Sequence, residues 1–428
     1  MVSIDKIKNM VVIGGGIMGS GIAQVALLAG YEKVTVVDLN AKILHKSKVL
    51  IQERIEAFES EENFKKFITD NGIMDPALIS LDIKRKLNNF ESVGILANGI
   101  NTETIMSRLS QNTEIAEGVK NADFVIEAVT EKLELKQNIF RDLGQHSPPN
   151  TILASNTSAI NITEIAKFSG RPEKVIGMHF HTFFPIMGML IEITPGKQSS
   201  KESLDIGQAI GQKFPCLRGK RFTIQLEKEA AGLIANRISL PSGLYFDWLL
   251  DFALDNGFSF EQLGALNPMF GLADAIGLDT IHNIMKYFEK NVSPDFAPGN
   301  YFTKLINEGK LGKKVGKGYL KYAENGSVVS PPITDEEVTE FLMPLLNEDI
   351  FLALSLNEAC RLLEEGVAKS SKLIDKIIFK GTSVPGPFRR GKKKYKELSE
   401  KLYVLTEKTG KSYFKPCKML ESGKFLDF

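Results

Sequence analysis

The sequence predicts an α/β domain built on a parallel sheet, followed by two mainly α-helical domains. Three observations predict it. A strand, a glycine turn and a helix follow one another over residues 10–28, short β-branched runs alternate with helical patterns up to about residue 221, and helical patterns dominate beyond it. The expected boundaries are 1–226 for the α/β domain, 227–323 for the first helical domain and 324–428 for the second.

The first element is the apolar run 11–13, after which Gly14, Gly16 and Gly19 fit G-x-G-x-x-G and residues 17–28 continue as a helix, with Ile17 and Met18 in its first turn. Gly14 permits the turn, Gly16 lets backbone N–H groups approach a pyrophosphate, and Gly19 lets helix pack on strand. A second strand, 34–37, ends on Asp38, where a carboxylate can accept hydrogen bonds from a ribose diol and repel a 2′-phosphate. The set predicts a Rossmann-type domain that takes NAD. The uncharged stretch 9–31, which follows Lys6 and Lys8, also suggests a membrane span or a signal sequence, but its six glycines, with Ser20 and Gln24, make it a poor span.

Residues 41–108 are polar and mostly helical in pattern, with Ile43, Leu44, Ile51 and Ile55 as an apolar stripe; an insertion at this place suits a lid over the cofactor crevice. Strands are expected at 124–129, with Glu127 and Glu131 on its following loop, and at 151–154, with the polar turn Ser155, Asn156, Thr157, Ser158 after it. Two more, 174–180 and 189–193, flank a loop bearing histidine and aromatic residues. In the helical half, residues 305–311 resemble 419–425, and 326–334, with Pro331 and Pro332, reads as a linker between two related units.

Lys and Arg number 53 against 52 Asp and Glu, so the net charge of +1 gives no field for nucleic acid or an anionic membrane. The run from Arg389 to Lys394 is read as a solvated face. Cys216, Cys360 and Cys417 are scattered and odd in number, which implies a reducing compartment, no disulfide framework and no metal site. A cytoplasmic location is expected.

Of five histidines, His179 stands at a strand end, and Glu192 lies on the neighbouring apolar strand, where a buried carboxylate needs a partner. Facing each other, they would make an oriented base for an alcohol proton, or a structural pair. Ser158 is placed to hydrogen-bond a reacting oxygen, and Asn236, at a helix start, a carbonyl.

The glycine motif with Ser20, Gly21, Ile22 and Ala23, together with Glu127-Ala128-Val129, Ala154-Ser155-Asn156-Thr157-Ser158, Gly177-Met178-His179-Phe180 and Gly232-Leu233-Ile234-Ala235-Asn236-Arg237, resembles the L-3-hydroxyacyl-CoA dehydrogenases. Downstream, Gly277-Leu278-Asp279-Thr280 and Gly309-Lys310-Leu311-Gly312-Lys313-Lys314 resemble that family's helical domain. The stretch from Asn357 to Gly366 resembles the second copy found in bifunctional fatty-acid oxidation enzymes, which also carry an enoyl-CoA hydratase domain. The resemblance implies NAD-dependent oxidation of (S)-3-hydroxyacyl-CoA to 3-oxoacyl-CoA, with His179 as base, Glu192 as its partner, and Ser158 and Asn236 on the thioester. It implies that Gly14, Gly16, Ile17, Met18, Gly19 and Asp38 hold NAD, with Glu131, Lys136, Asn156, Ser158 and Lys314 along that site. Arg54 occupies a place where the family meets coenzyme A, although an exposed arginine on a solvated helix face is the plainer reading. The implied partners are the acyl-CoA substrate and a separate hydratase, and the chain would be a monomer or a homodimer.

Two departures stand out. After the base the family reads His-Phe-Phe-Asn-Pro, whereas this chain has His179-Phe180-His181-Thr182-Phe183-Phe184-Pro185, one residue longer and without the asparagine. His181 is a second candidate base, expected to point away from His179. Before Asn236 the family prefers Asp-Thr-Pro-Gly, and here Glu229-Ala230-Ala231-Gly232 stands instead. The rival readings are an NAD(H)-binding protein with little turnover that partners a hydratase, and a hydroxyacid dehydrogenase acting without coenzyme A.

Overall fold

A computed structural model describes residues 4–60, 62, 63, 66, 67, 101–182 and 184–428. Of the expected lid at 41–108, residues 61, 64, 65 and 68–100 lie outside the described residues, as does Phe183 in the loop after His179. By its internal contacts the chain divides into two compact units, Met1–Thr157 with Asn161–Glu229, and Ser158–Ile160 with Ala230–Phe428.

The first unit is an eight-stranded sheet. Its strands are β1 Asn9–Ile13, β2 Lys33–Val37, β3 Leu109–Asn112, β4 Phe124–Glu127, β5 Ile152–Ser155, β6 Val175–Phe180, β7 Leu190–Pro195 and β8 Phe222–Gln225. They lie in the order β3-β2-β1-β4-β5-β6-β7-β8. Neighbours run parallel except β6 and β7, which are antiparallel. Strands β4, β5 and β6 are buried at every position, as expected for a sheet covered on both faces. Their apolar runs made them visible in the sequence. The two strands that were not expected, β3 and β8, are the two edges: β3 reads Leu-Ser-Gln-Asn and β8 Phe-Thr-Ile-Gln, and neither is covered enough to need a continuous apolar run. Glu127 was expected on a loop and is instead the last residue of β4, fully buried.

Chain order reverses between β1 and β4, so the crevice of an open α/β sheet lies at the carboxyl ends of these strands. The glycine loop and the helix Ile17–Leu28 leave β1 there. The next helix, Ala41–Glu56, is capped by Asn40, whose side chain accepts from Lys42 N at 2.9 Å, and it buries Leu44, Ile51 and Ile55. Ile43 of the expected stripe remains 37 % exposed.

The second unit is almost wholly helical. The long helix Ala235–Asp255 buries Phe246, Leu249 and Leu250 in a cluster with Phe270, Leu278 and Tyr319 that continues through Val338, Leu342 and Leu345. Residues from both sides of position 323/324 share this cluster. The stretch read as a linker is tied down: Val328–Val329 pairs with Lys321–Tyr322, and Ile333 exchanges backbone bonds with Glu261 and Gly264 at 2.8 Å each. The internal repeat has a physical counterpart, because Gly309 and Gly423, equivalent in the two copies, both end their helical turn at positive φ (67° and 69°). The basic run from Arg389 to Lys394 is partly paired, Arg390 with Glu348 and Lys394 with Asp349 at the start of the helix Glu348–Glu364.

Candidate active site

The glycine loop forms a cradle. Gly14 turns at φ +103°, and a Cβ there would meet Ala128 O at 2.7 Å; a Cβ on Gly19 would stand 1.8 Å from Gly14 O. Gly16 differs. It is the N-cap of a 12-residue helix with no side chain capping it, and a Cβ there would have nothing within 4 Å. Open space in front of first-turn N–H groups fits a pyrophosphate. Ile17, 58 % exposed, and half-buried Met18 border it. At the end of β2, Asp38 accepts from Gly15 N at 2.9 Å and from Asn40 N at 3.0 Å, which holds its carboxylate beside the loop. These residues fit a dinucleotide.

Next to the cradle lies a buried polar network. Lys136 Nζ, on the helix Leu133–His146, is 2.7 Å from Glu127 Oε1 and 3.3 Å from Glu131 Oε2. Burial alone would pull the lysine's pKa down, but the two carboxylates outweigh it and the net direction is up. Ser155 donates to Glu127 at 2.6 Å, and Thr157 to Glu131 at 2.5 Å. Asn156 Oδ1 accepts from Phe180 N at 2.9 Å, joining the end of β5 to the end of β6. Glu131, Lys136 and Asn156 are expected site residues, and Glu127 joins them with no role expected from the sequence. An acid closing an apolar strand was the signal, the same one that identified Glu192.

His179 and Glu192 are direct partners across the antiparallel β6–β7 pair. The imidazole Nδ1 stands 3.2 Å from Glu192 Oε2, with the ring 4 % exposed and the carboxylate fully buried. An ionised Glu192 accepts from Nδ1–H, which fixes the tautomer with Nε2 as the basic nitrogen. His181 does not turn away. Residues two apart on an extended strand share a face, and its ring lies edge-to-face with that of His179, centroids 5.8 Å apart.

Arg54 is not on a solvated face. It is 4 % exposed, its guanidinium lies 5.5 Å from the centre of the Phe184 ring, and its Nε and Nη1 have no hydrogen-bond partner among the described residues. Burial pushes its pKa down to about 10.

Three expected site residues belong to the second unit. Asn236, in the first turn of the helix Ala235–Asp255, donates from Nδ2 to Ser158 O at 3.2 Å. The turn into this helix uses left-handed backbone at Gly232 and Leu233 (φ 78° and 55°). Beside Asn236, the buried Arg237 is held at 2.5 Å from the buried Glu358 and 2.7 Å from the exposed Glu365, pairings not expected from the sequence. Lys314 pairs with Asp279 at 2.5 Å.

Residues 9–215 match the family model described as the 3-hydroxyacyl-CoA dehydrogenase NAD binding domain, and residues 255–322 match the 3-hydroxyacyl-CoA dehydrogenase C-terminal domain. The chain is 32 % identical over 324 residues to a probable 3-hydroxybutyryl-CoA dehydrogenase of Deinococcus radiodurans, covering 73 % of this chain and 99 % of that one. The chain belongs to the 3-hydroxyacyl-CoA dehydrogenase family. As a member it is an NAD-dependent dehydrogenase, an oxidoreductase whose cofactor is NAD. It is also 29 % identical, over 97 % of its length, to the fatty acid oxidation complex subunit alpha of Shewanella sp. (strain ANA-3), and it spans 55 % of that relative. A solved 3-hydroxybutyryl-CoA dehydrogenase from Escherichia coli K12 shares the fold over 98 % of both chains, with a TM-score of 0.66 at 22 % identity. Among the described residues, no helix of this family member is long and apolar enough to cross a membrane.

Proposed function

We propose that the chain oxidises (S)-3-hydroxyacyl-CoA thioesters to 3-oxoacyl-CoA, reversibly, with His179 as the base. The observation that carries this is the buried His179–Glu192 pair on β6 and β7, with His179 at the carboxyl end of a strand parallel to β5. Bound NAD supplies the acceptor for the hydride of C3. The chain's own residues manage the proton. His179 Nε2 takes it from the 3-hydroxyl, and the Glu192 carboxylate stabilises the imidazolium so formed; in the reverse direction the imidazolium returns it. Ser158 and Asn236 serve as hydrogen-bond donors to the thioester, and Arg54 as a cation for the substrate. Gly14, Gly16, Ile17, Met18, Gly19 and Asp38 hold the dinucleotide, with Glu131, Lys136, Asn156, Ser158 and Lys314 along it.

The test is NADH oxidation with acetoacetyl-CoA, comparing the protein with its His179→Ala and Glu192→Gln variants. Loss of turnover in both with NADH binding intact supports the reading. An unmodified protein that binds NADH but turns over neither short nor long acyl thioesters would overturn it.

A further inference from the structure

We propose that His179, His181 and Glu192 form a binding site for Zn²⁺ or a similar divalent transition ion, and that the ion, when held there, switches the base off. One ligand atom from each of the three side chains lies within 4.8 Å of the other two. Two imidazoles and one carboxylate are a donor set that zinc accepts, leaving a fourth position for water or a substrate oxygen. With metal–ligand distances of roughly 2.0–2.1 Å, neighbouring donors around a tetrahedral ion stand about 3.3 Å apart. The His179 Nδ1 to Glu192 Oε2 separation of 3.2 Å is already such an edge.

The remaining adjustment falls on His181, the one of the three that lies outside a strand. His179 and Glu192 are fixed by the register of β6 and β7, whereas His181 follows the last residue of β6 and is only half-buried. Rotation of its ring can bring a nitrogen in, and its partial exposure gives an ion a path from solvent. The sequence, read by spacing, suggested no metal site. His-x-His on a strand end becomes a candidate only when a carboxylate from the neighbouring strand joins it.

Binding follows from this geometry alone; its effect on turnover rests on the reading of His179 as the base. An ion on Nε2 occupies the lone pair that takes the proton. An ion on Nδ1 replaces the proton shared with Glu192 and removes the carboxylate's support. Either arrangement stops proton abstraction until the ion leaves.

The experiment is calorimetric titration of the full chain with Zn²⁺, repeated on His181→Ala and on His181→Asn, with turnover followed in parallel. The wild-type chain is expected to bind one ion at this site, and both variants to bind it about tenfold or more weakly, as loss of one of three ligands implies. Zn²⁺ should suppress wild-type turnover and a chelator should restore it, while the turnover of His181→Ala, measured against its own ion-free rate, should be changed little by the ion. Using both variants guards against a folding defect in one. Equal binding by the wild-type and variant chains, or no binding by the wild type, overturns the site. Binding that depends on His181 yet leaves turnover untouched supports the site and overturns His179 as the base.

Discussion

Lys136 Nζ lies 2.7 Å from Glu127 Oε1, and neither side chain reaches solvent. Such a pair is costly to break from one side, because the remaining charge is buried without compensation. Lys136→Met should therefore destabilise the α/β unit by about 3–5 kcal/mol, and a Glu127→Gln, Lys136→Met double variant should recover part of the loss. Urea unfolding followed by circular dichroism would measure both. Equal stability of the single and double variants would show that the two charges do not depend on each other.

The glycine loop separates fold from cofactor. Gly19→Ala puts a methyl group 1.8 Å from Gly14 O and should cost more than about 2 kcal/mol of stability. Gly16→Ala meets nothing in the protein and should unfold like wild type, yet weaken NADH binding about tenfold or more by occupying the pyrophosphate's space. Fluorescence titration with NADH beside thermal unfolding would show the two effects parting.

Glu192→Gln keeps the shape of the side chain and removes its charge. Turnover should fall by roughly 10²–10⁴, mainly in kcat, as expected when a histidine loses the anion that orients it and stabilises its charged form. KM for the thioester and the affinity for NADH should change little. A variant that lost NADH binding along with turnover would place Glu192 in the architecture of the unit.

Asp247 carries a pH dependence of stability. Burial raises its carboxyl to about 7, and one oxygen accepts from Gly299 N at 2.6 Å. A carboxyl raised on folding contributes stability that is full below its unfolded value near pH 4 and is lost as pH rises through about 7. Asp247→Asn keeps an acceptor for Gly299 and cannot ionise. Its stability relative to wild type should climb between about pH 5 and pH 8, by on the order of 3 kcal/mol. Denaturant midpoints across that range provide the check, and parallel curves for the two proteins would count against the assignment.

The parts legible in the sequence were those where one physical demand dominates. A strand covered on both faces must be apolar throughout, so β1, β2, β4, β5, β6 and β7 announced themselves. The glycine motif was legible because close approach leaves no alternative residue. Edge strands β3 and β8 make no such demand and passed as loops. Pairings between distant residues were legible only where a charge sat conspicuously in an apolar run. That rule found Glu192 and would have found Glu127. It could not find Arg237 with Glu358, which lie on helices where charged residues are ordinary, nor the burial of Arg54, whose cover includes Phe184 from a distant loop.

Arg237 directly follows Asn236, and its counter-charges, Glu358 and Glu365, arrive more than a hundred residues later, at separations of 121 and 128. Until the ribosome has delivered residues 358–365, the guanidinium beside Asn236 lacks both of these partners. A prematurely stopped copy of this chain would thus carry its defect into the helix start that bears Asn236. The start of the helix Ala235–Asp255 thus draws its charge balance from the far end of the same unit.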